Sequence, residues 1–299
     1  MKRLCNYLGF FFFLSMVFIH PDAVHADAGR EDSHIFMWSA DAAGGTIYIL
    51  GSIHMLNKEL YPLDKRIEQA YEKSKTVIFE ADMDEAGSAF MQSKMLELGI
   101  YKNGQGLRRN VSTSTYESCE KRLKASGASM RQFDMMKPWL CAVTLVSREM
   151  KKLGFDPAMG IDAYYHKKAL RDKKEILFFE SARYQIELLA DIMEPGQEEL
   201  LVQSIEQMDV MGSMYSDILS AWQTGDAAKM ESILRISLDG HPKICERLFA
   251  VRNRQWAEKI LNISRLGDDI FVVAGAGHLV GDKGLIELLK RQGFALRQR

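Results

Sequence analysis

The 299-residue chain has little cysteine, no excess of charge of either sign and no long apolar run. Its four cysteines show no C-x-x-C spacing, which excludes the common cysteine metal clips. A formal net charge of -1 gives no basic field, so we expect no nucleic-acid binding. The chain also lacks the G-x-S-x-G turn of serine hydrolases. What remains is an ordinary globular composition, 47% hydrophobic and 26% charged.

The N-terminal segment has the pattern of a secretory signal peptide. Lys2 and Arg3 precede an apolar stretch over residues 8–19, and a small-residue site follows at Val24-His25-Ala26. The apolar stretch is shorter than the ~20 residues that span a membrane. We therefore expect cleavage after residue 26 and export to the periplasm or the medium, with no membrane span left. An uncleaved N-terminal anchor is the alternative.

Alternating strand-like and helix-like segments predict an α/β fold. Residues 34–40 and 45–54 are predicted strands joined by the glycine turn "DAAGG". A helical pattern over 63–75 leads to the strand "TVIFEADMD", which indicates a β-α-β unit with parallel strands. The helix "DAYYHKKALRDKK" and the strand "EILFFES" repeat this order, and a strand, a helix and a strand close the chain.

We therefore expect one domain over residues 27–299, with a central mixed, largely parallel sheet flanked by helices. Two mainly helical insertions, about 87–155 and 197–262, interrupt the alternation. Helical insertions of this kind are expected to cover the edge where the parallel strands end. The domain keeps three cysteines, for which one disulfide and free buried thiols are both open: Cys119, Cys141 and Cys245.

Four predicted strands stop at a polar residue of a catalytic type: His54, Glu80, Glu180 and His278. Parallel strands bring such residues to one edge of a sheet, where α/β proteins bind ligands. Both histidines close a G-x-x-H motif, whose glycine lets the backbone turn and a ligand approach. Two imidazoles and the Glu80 carboxylate would form a divalent-metal site that suits Mn, Co or Zn. Glu180 is the candidate proton acceptor.

These residues lie in segments that resemble the TraB/GumN family, whose relatives include the Tiki metalloproteases and, more distantly, erythromycin-esterase-like proteins. The resemblance covers nearly the whole predicted domain. It is carried by the segments "YILGSIHML", "VIFEADMD", "MGIDAYYHKKA", "FFESARYQIELL", "LFAVRNRQWAEKI" and "FVVAGAGHLVGDKGLIELLKRQGF". In the first motif Ser52 replaces the usual threonine of the family and keeps the hydroxyl.

The resemblance implies metal-dependent hydrolysis, with a divalent ion at His54, Glu80 and His278. It also singles out further residues, of which Glu180 and Arg252 are assigned to catalysis. Four more are assigned to substrate binding: Ser52, Asp162, Gln185 and Asn253.

Several of these residues have simpler interpretations. Arg252 lies on a helix with a packed face and could be a structural charge, although its guanidinium also suits a substrate carboxylate or an oxyanion. Asp162 could serve the dipole of a helix N-terminus, an interpretation we favour over a ligand role. The remaining histidines of the domain are expected to be surface or packing residues: His34, His166 and His241.

Two classes of function stay open at this stage. The first is an exported metal-dependent hydrolase, most plausibly a Tiki-like peptidase that acts on a peptide or protein. The second is a non-catalytic binding protein that holds a peptide, a signalling molecule or a haem-like ligand in the same cleft.

Overall fold

A computed structural model of the protein describes residues 34–299, and the predicted signal peptide lies outside them. Six strands form one sheet in the order β4-β3-β5-β2-β1-β6. Their bounds are Met37–Ala42 (β1), Gly45–Ser52 (β2), Thr76–Phe79 (β3), Glu175–Phe178 (β4), Ile270–Gly275 (β5) and Arg297–Gln298 (β6).

Four of the six strands are parallel to one another, from the edge strand β4 through β3 and β5 to β2, which confirms the predicted mixed, largely parallel sheet. Strand β5 pairs in parallel with β2 and β3, and β3 pairs in parallel with β4. Strand β1 is antiparallel to both β2 and β6. Every residue of β3 and β5 is buried, because helices cover both faces of a parallel sheet. This burial on both faces explains the continuous apolar runs "TVIF" and "IFVV" in the sequence.

Sixteen α-helices lie in the described part of the chain. The first eight are Lys65–Lys73 (α1), Met83–Ala86 (α2), Ala89–Gly99 (α3), Leu107–Asn110 (α4), Thr113–Ala125 (α5), Met130–Phe133 (α6), Pro138–Lys152 (α7) and Ile161–Arg171 (α8). The other eight are Ala182–Met193 (α9), Gln197–Gln207 (α10), Met211–Gln223 (α11), Ala227–Ser237 (α12), Pro242–Cys245 (α13), Val251–Ser264 (α14), Ala276–Leu279 (α15) and Leu285–Arg291 (α16).

Local sequence signals explain where several of these elements start. The Asp64 carboxylate accepts a hydrogen bond from the Arg66 backbone N–H and caps α1, which buries Ile67, Ala70 and Tyr71 against the sheet. Gly44, in the turn between β1 and β2, has φ +102°, a conformation that glycine adopts without strain. The predicted hairpin therefore forms at the expected place.

The strand order differs from the simplest interpretation of the sequence in one respect. Strands β2 and β3 of the predicted β-α-β unit are parallel but not neighbours, because β5 from the C-terminal end of the chain lies between them. The pairing of β3 and β4 continues past their ends, where the Glu180 N–H donates to the Glu80 carbonyl at 2.9 Å. The insertion of β5 places both G-x-x-H motifs on adjacent strands.

Two further features concern the predicted cysteine pairing and the predicted absence of a membrane span. The buried Sγ atoms of Cys119 and Cys141 lie 3.5 Å apart and share a hydrogen bond, without a disulfide between them. Within residues 34–299, no helix combines the length and the apolar character that crossing a membrane requires.

Candidate functional site

The ends of the parallel strands bring the predicted site residues into one cluster, with Arg252 at its centre. Arg252 is buried, and its Nε and Nη2 donate to the two carboxylate oxygens of Glu180 at 2.9 and 2.8 Å. Nη2 also donates to Glu80 Oε2 at 3.1 Å. Nη1 donates to the Leu248 carbonyl at 3.0 Å and lies 3.1 Å from His278 Nε2. All five guanidinium N–H groups therefore have partners, and Arg252 positions the cluster with no donor left for a substrate.

His278 is a neutral imidazole held by Asn253. The Asn253 amide nitrogen donates to the backbone carbonyls of His278 and Lys283, at 3.2 and 2.9 Å, which turns its oxygen toward His278 Nδ1 at 2.6 Å. His278 Nδ1 is thus assigned as the donor and Nε2 as the acceptor that faces Arg252. Burial, together with the charges of Arg252 and His54, lowers the pKa of His278 to about 3.

His54 has the opposite electrostatic environment. Burial would lower the pKa of His54, but the charge and hydrogen bond of Asp162 and the charge of Glu80 outweigh it and raise the pKa to about 9. The His54 Nδ1 atom lies 2.8 Å from Asp162 Oδ1. Asp162 lies in the first turn of α8, the position that a helix-dipole role requires. From this position its carboxylate contacts His54. Both imidazoles are therefore held through Nδ1 by an oxygen.

Glu80 is held ionised between these groups. Its Oε1 accepts a hydrogen bond from the Gly275 N–H at 2.7 Å, and Oε2 accepts from Arg252. Burial would raise the pKa of Glu80, but His278, Arg252, His54 and the Gly275 N–H outweigh it and lower the pKa to about 2. Such a carboxylate is a strong ligand for a cation and a weak acceptor of protons.

Gly275 keeps a space open between these side chains. A Cβ atom on Gly275 would lie 3.1 Å from Glu80 Oε1, 3.3 Å from His54 Nε2 and 3.6 Å from His278 Cδ2. The missing side chain therefore leaves room at the point where the two histidines and the glutamate approach one another. The glycine of the second motif thus allows the close approach of ligand groups that we expected from the motif.

The donors fit a divalent metal ion in kind, and two of the three face the same space. Histidines that bind metals almost always have their other ring nitrogen held by an oxygen, as both have here. The His54 Nε2 and Glu80 Oε1 atoms border the space beside Gly275. His278 Nε2 would have to give up its contact with Arg252. Within the described residues, His54, Glu80 and His278 are not a group whose ligand atoms all lie within 4.8 Å of one another.

Glu180 lies behind Arg252 and faces away from the open side of the cluster. Both of its oxygens accept hydrogen bonds from Arg252, and Trp256 Nε1 donates to Oε1 at 3.0 Å. This carboxylate therefore holds Arg252, and its role as proton acceptor stays a prediction.

Ser52 and Gln185, two predicted substrate-binding residues, have different surroundings. Gln185 Nε2 lies 3.2 Å from Glu180 Oε2 and 3.4 Å from Glu80 Oε2, so it bridges the two carboxylates. Ser52 Oγ is buried and has no hydrogen-bond partner within the described part of the chain. Its hydroxyl is available to a bound molecule.

A cavity of about 390 Å³ opens over this cluster. Five of the predicted site residues line it: Ser52, His54, Glu80, Asp162 and Gln185. The other four are buried behind its wall: Glu180, Arg252, Asn253 and His278. The rest of the wall is mainly apolar and rich in methionine, including Met55, Met83, Met91 and Met95. The last two methionines belong to α3, so the first helical insertion covers the strand ends as predicted.

The π-helix beside Arg252 and the aromatic rings that pack on His278 were not predicted from the sequence. A π-helix over Glu246–Ala250 precedes α14 and supplies the Leu248 carbonyl to Arg252. The rings of Trp256 and Phe249 pack on His278, with centroids 4.3 and 4.8 Å away. The four-residue spacing of Arg252 and Trp256 already placed both on the packed helix face expected from the sequence.

Comparison with known proteins gives a match over the whole of this structure. The model of the TraB/PrgY/gumN family matches residues 36–298. Uncharacterized protein YbaP of Escherichia coli (strain K12) is 23% identical over 244 residues, which cover 81% of this chain and 87% of YbaP. An uncharacterized protein of Treponema pallidum (strain Nichols) is 19% identical over 273 residues, covering 85% of this chain and 80% of that protein. No solved structure matches the chain significantly.

Proposed function

Because the chain belongs to the TraB/PrgY/gumN family, we propose that it is a divalent-metal-dependent hydrolase of the Tiki peptidase kind. Its substrate is a peptide or protein that enters the cavity over the strand ends. The metal ion is Mn, Co or Zn, and His54, Glu80 and His278 hold it.

The orientation of the two imidazoles is the observation that carries this proposal. Each is fixed through Nδ1, His54 by the Asp162 carboxylate and His278 by the Asn253 amide. This leaves Nε2 as the atom that each ring offers to a ligand, and oxygen acceptors behind both rings are the usual support of metal-binding histidines. Glu80, ionised beside the space that Gly275 keeps open, completes a ligand set of the catalytic kind.

The residues of the chain divide the work of such a site. When bound, a divalent ion supplies Lewis-acid activation of a carbonyl and of water. Arg252 pairs with both Glu80 and Glu180 and offsets part of their charge, which helps two carboxylates to stay buried close together. Asp162 orients His54, and the apolar wall of the cavity removes water from the substrate and binds its apolar side chains.

One observation favours a second function, a non-catalytic binding protein. The guanidinium of Arg252 occupies His278 Nε2 and pairs with both glutamates, which gives a satisfied network without any metal. In that case the cavity holds a peptide, a signalling molecule or a haem-like ligand, and the charged cluster is structural.

Metal loading and turnover distinguish the two functions. The purified protein is stripped with a chelator, reloaded with Mn, Co or Zn, and assayed on a peptide library, next to a His54→Ala variant. Turnover that depends on the reloaded metal and is lost in His54→Ala supports the hydrolase. His241→Ala is the matched control, since His241 lies outside the cluster, and it should retain full turnover.

Absence of turnover from every metal-loaded form, with a preserved biological effect in the His54→Ala variant, would favour the binding protein. A folded protein that takes up no metal at all would contradict the hydrolase.

We also propose that residues 1–26 direct export to the periplasm or the medium. Mass spectrometry of the protein recovered from a cell fraction tests this directly. A mature chain that begins at Asp27 supports export with cleavage, whereas an intact chain in the membrane fraction would support the N-terminal anchor.

A further inference from the structure

A second group of possible metal ligands lies beside the cluster of the two G-x-x-H motifs. Asp82, Asp84 and His166 offer two carboxylates and an imidazole whose ligand atoms all lie within 4.8 Å of one another. Across residues 34–299, this is the one group of three or more His, Cys, Asp or Glu side chains that meets this distance. His166 was expected to be a surface or packing residue, and neither aspartate was predicted to belong to a site.

His166 is buried and lacks a hydrogen bond. It is only 4% exposed, and within the described part of the chain neither ring nitrogen has a hydrogen-bond partner. Its Nε2 lies 3.9 Å from Asp82 Oδ1, which is too far for a hydrogen bond. The rings of Phe79 and Phe178 hold the imidazole, with centroids 5.4 and 6.2 Å away. Ring packing therefore holds the imidazole in place, and its nitrogens make no hydrogen bond that a ligand would have to replace.

The Asp82 carboxylate is held in place, and the Asp84 carboxylate is accessible. Asp82 Oδ1 accepts hydrogen bonds from the backbone N–H groups of Asp84 and Glu85, at 2.9 and 3.3 Å. Asp82 Oδ2 takes part in no hydrogen bond among the described residues. The Asp84 side chain is exposed, which gives a hydrated ion a way in from solvent.

The same two chain segments supply both groups of ligands. On α8, Asp162 reaches His54, and His166, one turn later on the same face, reaches Asp82. After β3, Glu80 belongs to the first group and Asp82, two residues on, to the second. Asp82 also lines the cavity. The second group is therefore a neighbour of the first at the wall of one cavity.

We propose that Asp82, Asp84 and His166 bind a second divalent cation. Two carboxylates and one imidazole suit Mn²⁺, Zn²⁺ or Fe²⁺. The cation gives His166 its missing partner and ties α2 to α8, which fixes one wall of the cavity. This site has its own three donors and does not rest on the proposed function.

Counting bound Mn²⁺ tests the proposal without any substrate. Chelator-stripped protein is dialysed against MnCl₂, and bound manganese is measured by mass spectrometry and by electron paramagnetic resonance. The His54→Ala variant, whose first centre is disabled, should still bind about one ion per chain, as expected for an independent ligand set. Adding Asp84→Asn or His166→Gln to His54→Ala should abolish that binding.

Two features of this design protect it from misfolding. Asp84 is exposed, so Asp84→Asn leaves the core intact, and Asp239→Asn provides a matched loss of one exposed carboxylate elsewhere. Mn²⁺ should raise the melting temperature of His54→Ala and of its Asp239→Asn double variant, but not of the double variant with Asp84→Asn.

The proposal is overturned if His54→Ala binds no Mn²⁺, or if Asp84→Asn and His166→Gln leave its binding unchanged. These outcomes are separate from failure of the hydrolase proposal. A protein that hydrolyses no peptide but still binds Mn²⁺ through His166 refutes only the hydrolase.

Discussion

The two G-x-x-H segments have the same spacing but differ in what their glycines do. A Cβ atom on Gly51 would lie 2.4 Å from the Phe36 ring, so the first glycine serves packing behind the strand. A Cβ atom on Gly275 would approach Glu80 and His54, so the second glycine serves the site itself. The first glycine thus leaves room for Phe36, and the second leaves room beside Glu80 and His54.

The two histidines differ as well. His54 lines the cavity and is paired with the Asp162 carboxylate, which keeps its pKa high. His278 is buried among aromatic rings, is paired with a neutral amide, and has a low pKa. His54 therefore faces the open side of the cluster, whereas the neutral His278 lies buried behind the cavity wall.

Removing Arg252 should have the largest effect on stability, because its positive charge pairs with both buried glutamates of the cluster. In Arg252→Ala, the buried carboxylates of Glu80 and Glu180 would lose the guanidinium that pairs with both of them. Breaking a buried ion pair in this way costs about 3–5 kcal/mol in the free energy of unfolding. Chemical denaturation of the metal-free protein measures the loss.

Arg254→Ala is the matched control, two residues along the same helix. Arg254 is exposed and pairs with Glu246, so its loss should cost no more than about 1 kcal/mol. Equal losses of unfolding free energy in the two variants would show that the buried network around Arg252 stabilises the fold no more than an exposed ion pair does.

Placing a methyl group in each motif should separate the roles of the two glycines. Gly51→Ala pushes against Phe36 and should destabilise the fold by about 1–3 kcal/mol, as overpacking of a core does. Gly275→Ala fills the space beside Glu80 and His54 and should abolish metal binding at that centre. Denaturation and Mn²⁺ dialysis are measured on both variants.

Retained metal binding at the first centre in Gly275→Ala would contradict the assignment of that space. Asp84→Asn provides a variant in which the other centre is silent, so that the count refers to one site. If Gly51→Ala lost metal while keeping its stability, the two glycines would have the same role after all.

The charge difference between the histidines predicts a pH dependence for the metal-free protein. The pKa of His54 rises from 6.5 to about 9 on folding, so His54 adds stability that is complete below pH 6.5 and is lost as pH rises through 9. Asp162→Asn removes the carboxylate that raises this pKa. The variant should therefore be less stable by on the order of 2 kcal/mol near pH 6, and the gap should close above pH 9.

Denaturation curves of wild type and Asp162→Asn between pH 6 and 9.5 check this, with Asp239→Asn as a control whose deficit should not vary with pH. A gap that widens toward high pH would mean that Asp162 supports the fold through neutral hydrogen bonds.

The convergence of the strand ends could be predicted from the sequence, because it follows from local patterns. Apolar runs that stop at His54, Glu80, Glu180 and His278 require only that the strands be parallel for those side chains to meet. The hairpin turn and the helix before β3 also follow from local residue types. These features are determined by residues that lie close together in the sequence.

The remaining features depend on contacts between distant segments, which carry no local signal. The place of β5 between β2 and β3 is fixed by pairing across more than two hundred residues. The network of Arg252 depends on a π-helix, whose extra residue changes which side chains face inward. His166 looked like any helical histidine, although its four-residue spacing from Asp162 already placed both on one face.

The smallest effect is expected at Ser52 of the first motif, whose hydroxyl has no counterpart at Ala276 of the second motif. Ser52 Oγ is buried without a partner and lines the cavity, so Ser52→Ala removes an unsatisfied group. We expect the free energy of unfolding to stay constant or rise by up to about 1 kcal/mol.

If the hydroxyl binds substrate, KM rises in Ser52→Ala while kcat is kept, since only uniform binding is lost. Ser52→Thr keeps the hydroxyl and should keep KM, whereas a fall in stability in Ser52→Ala would show that the hydroxyl has a structural partner.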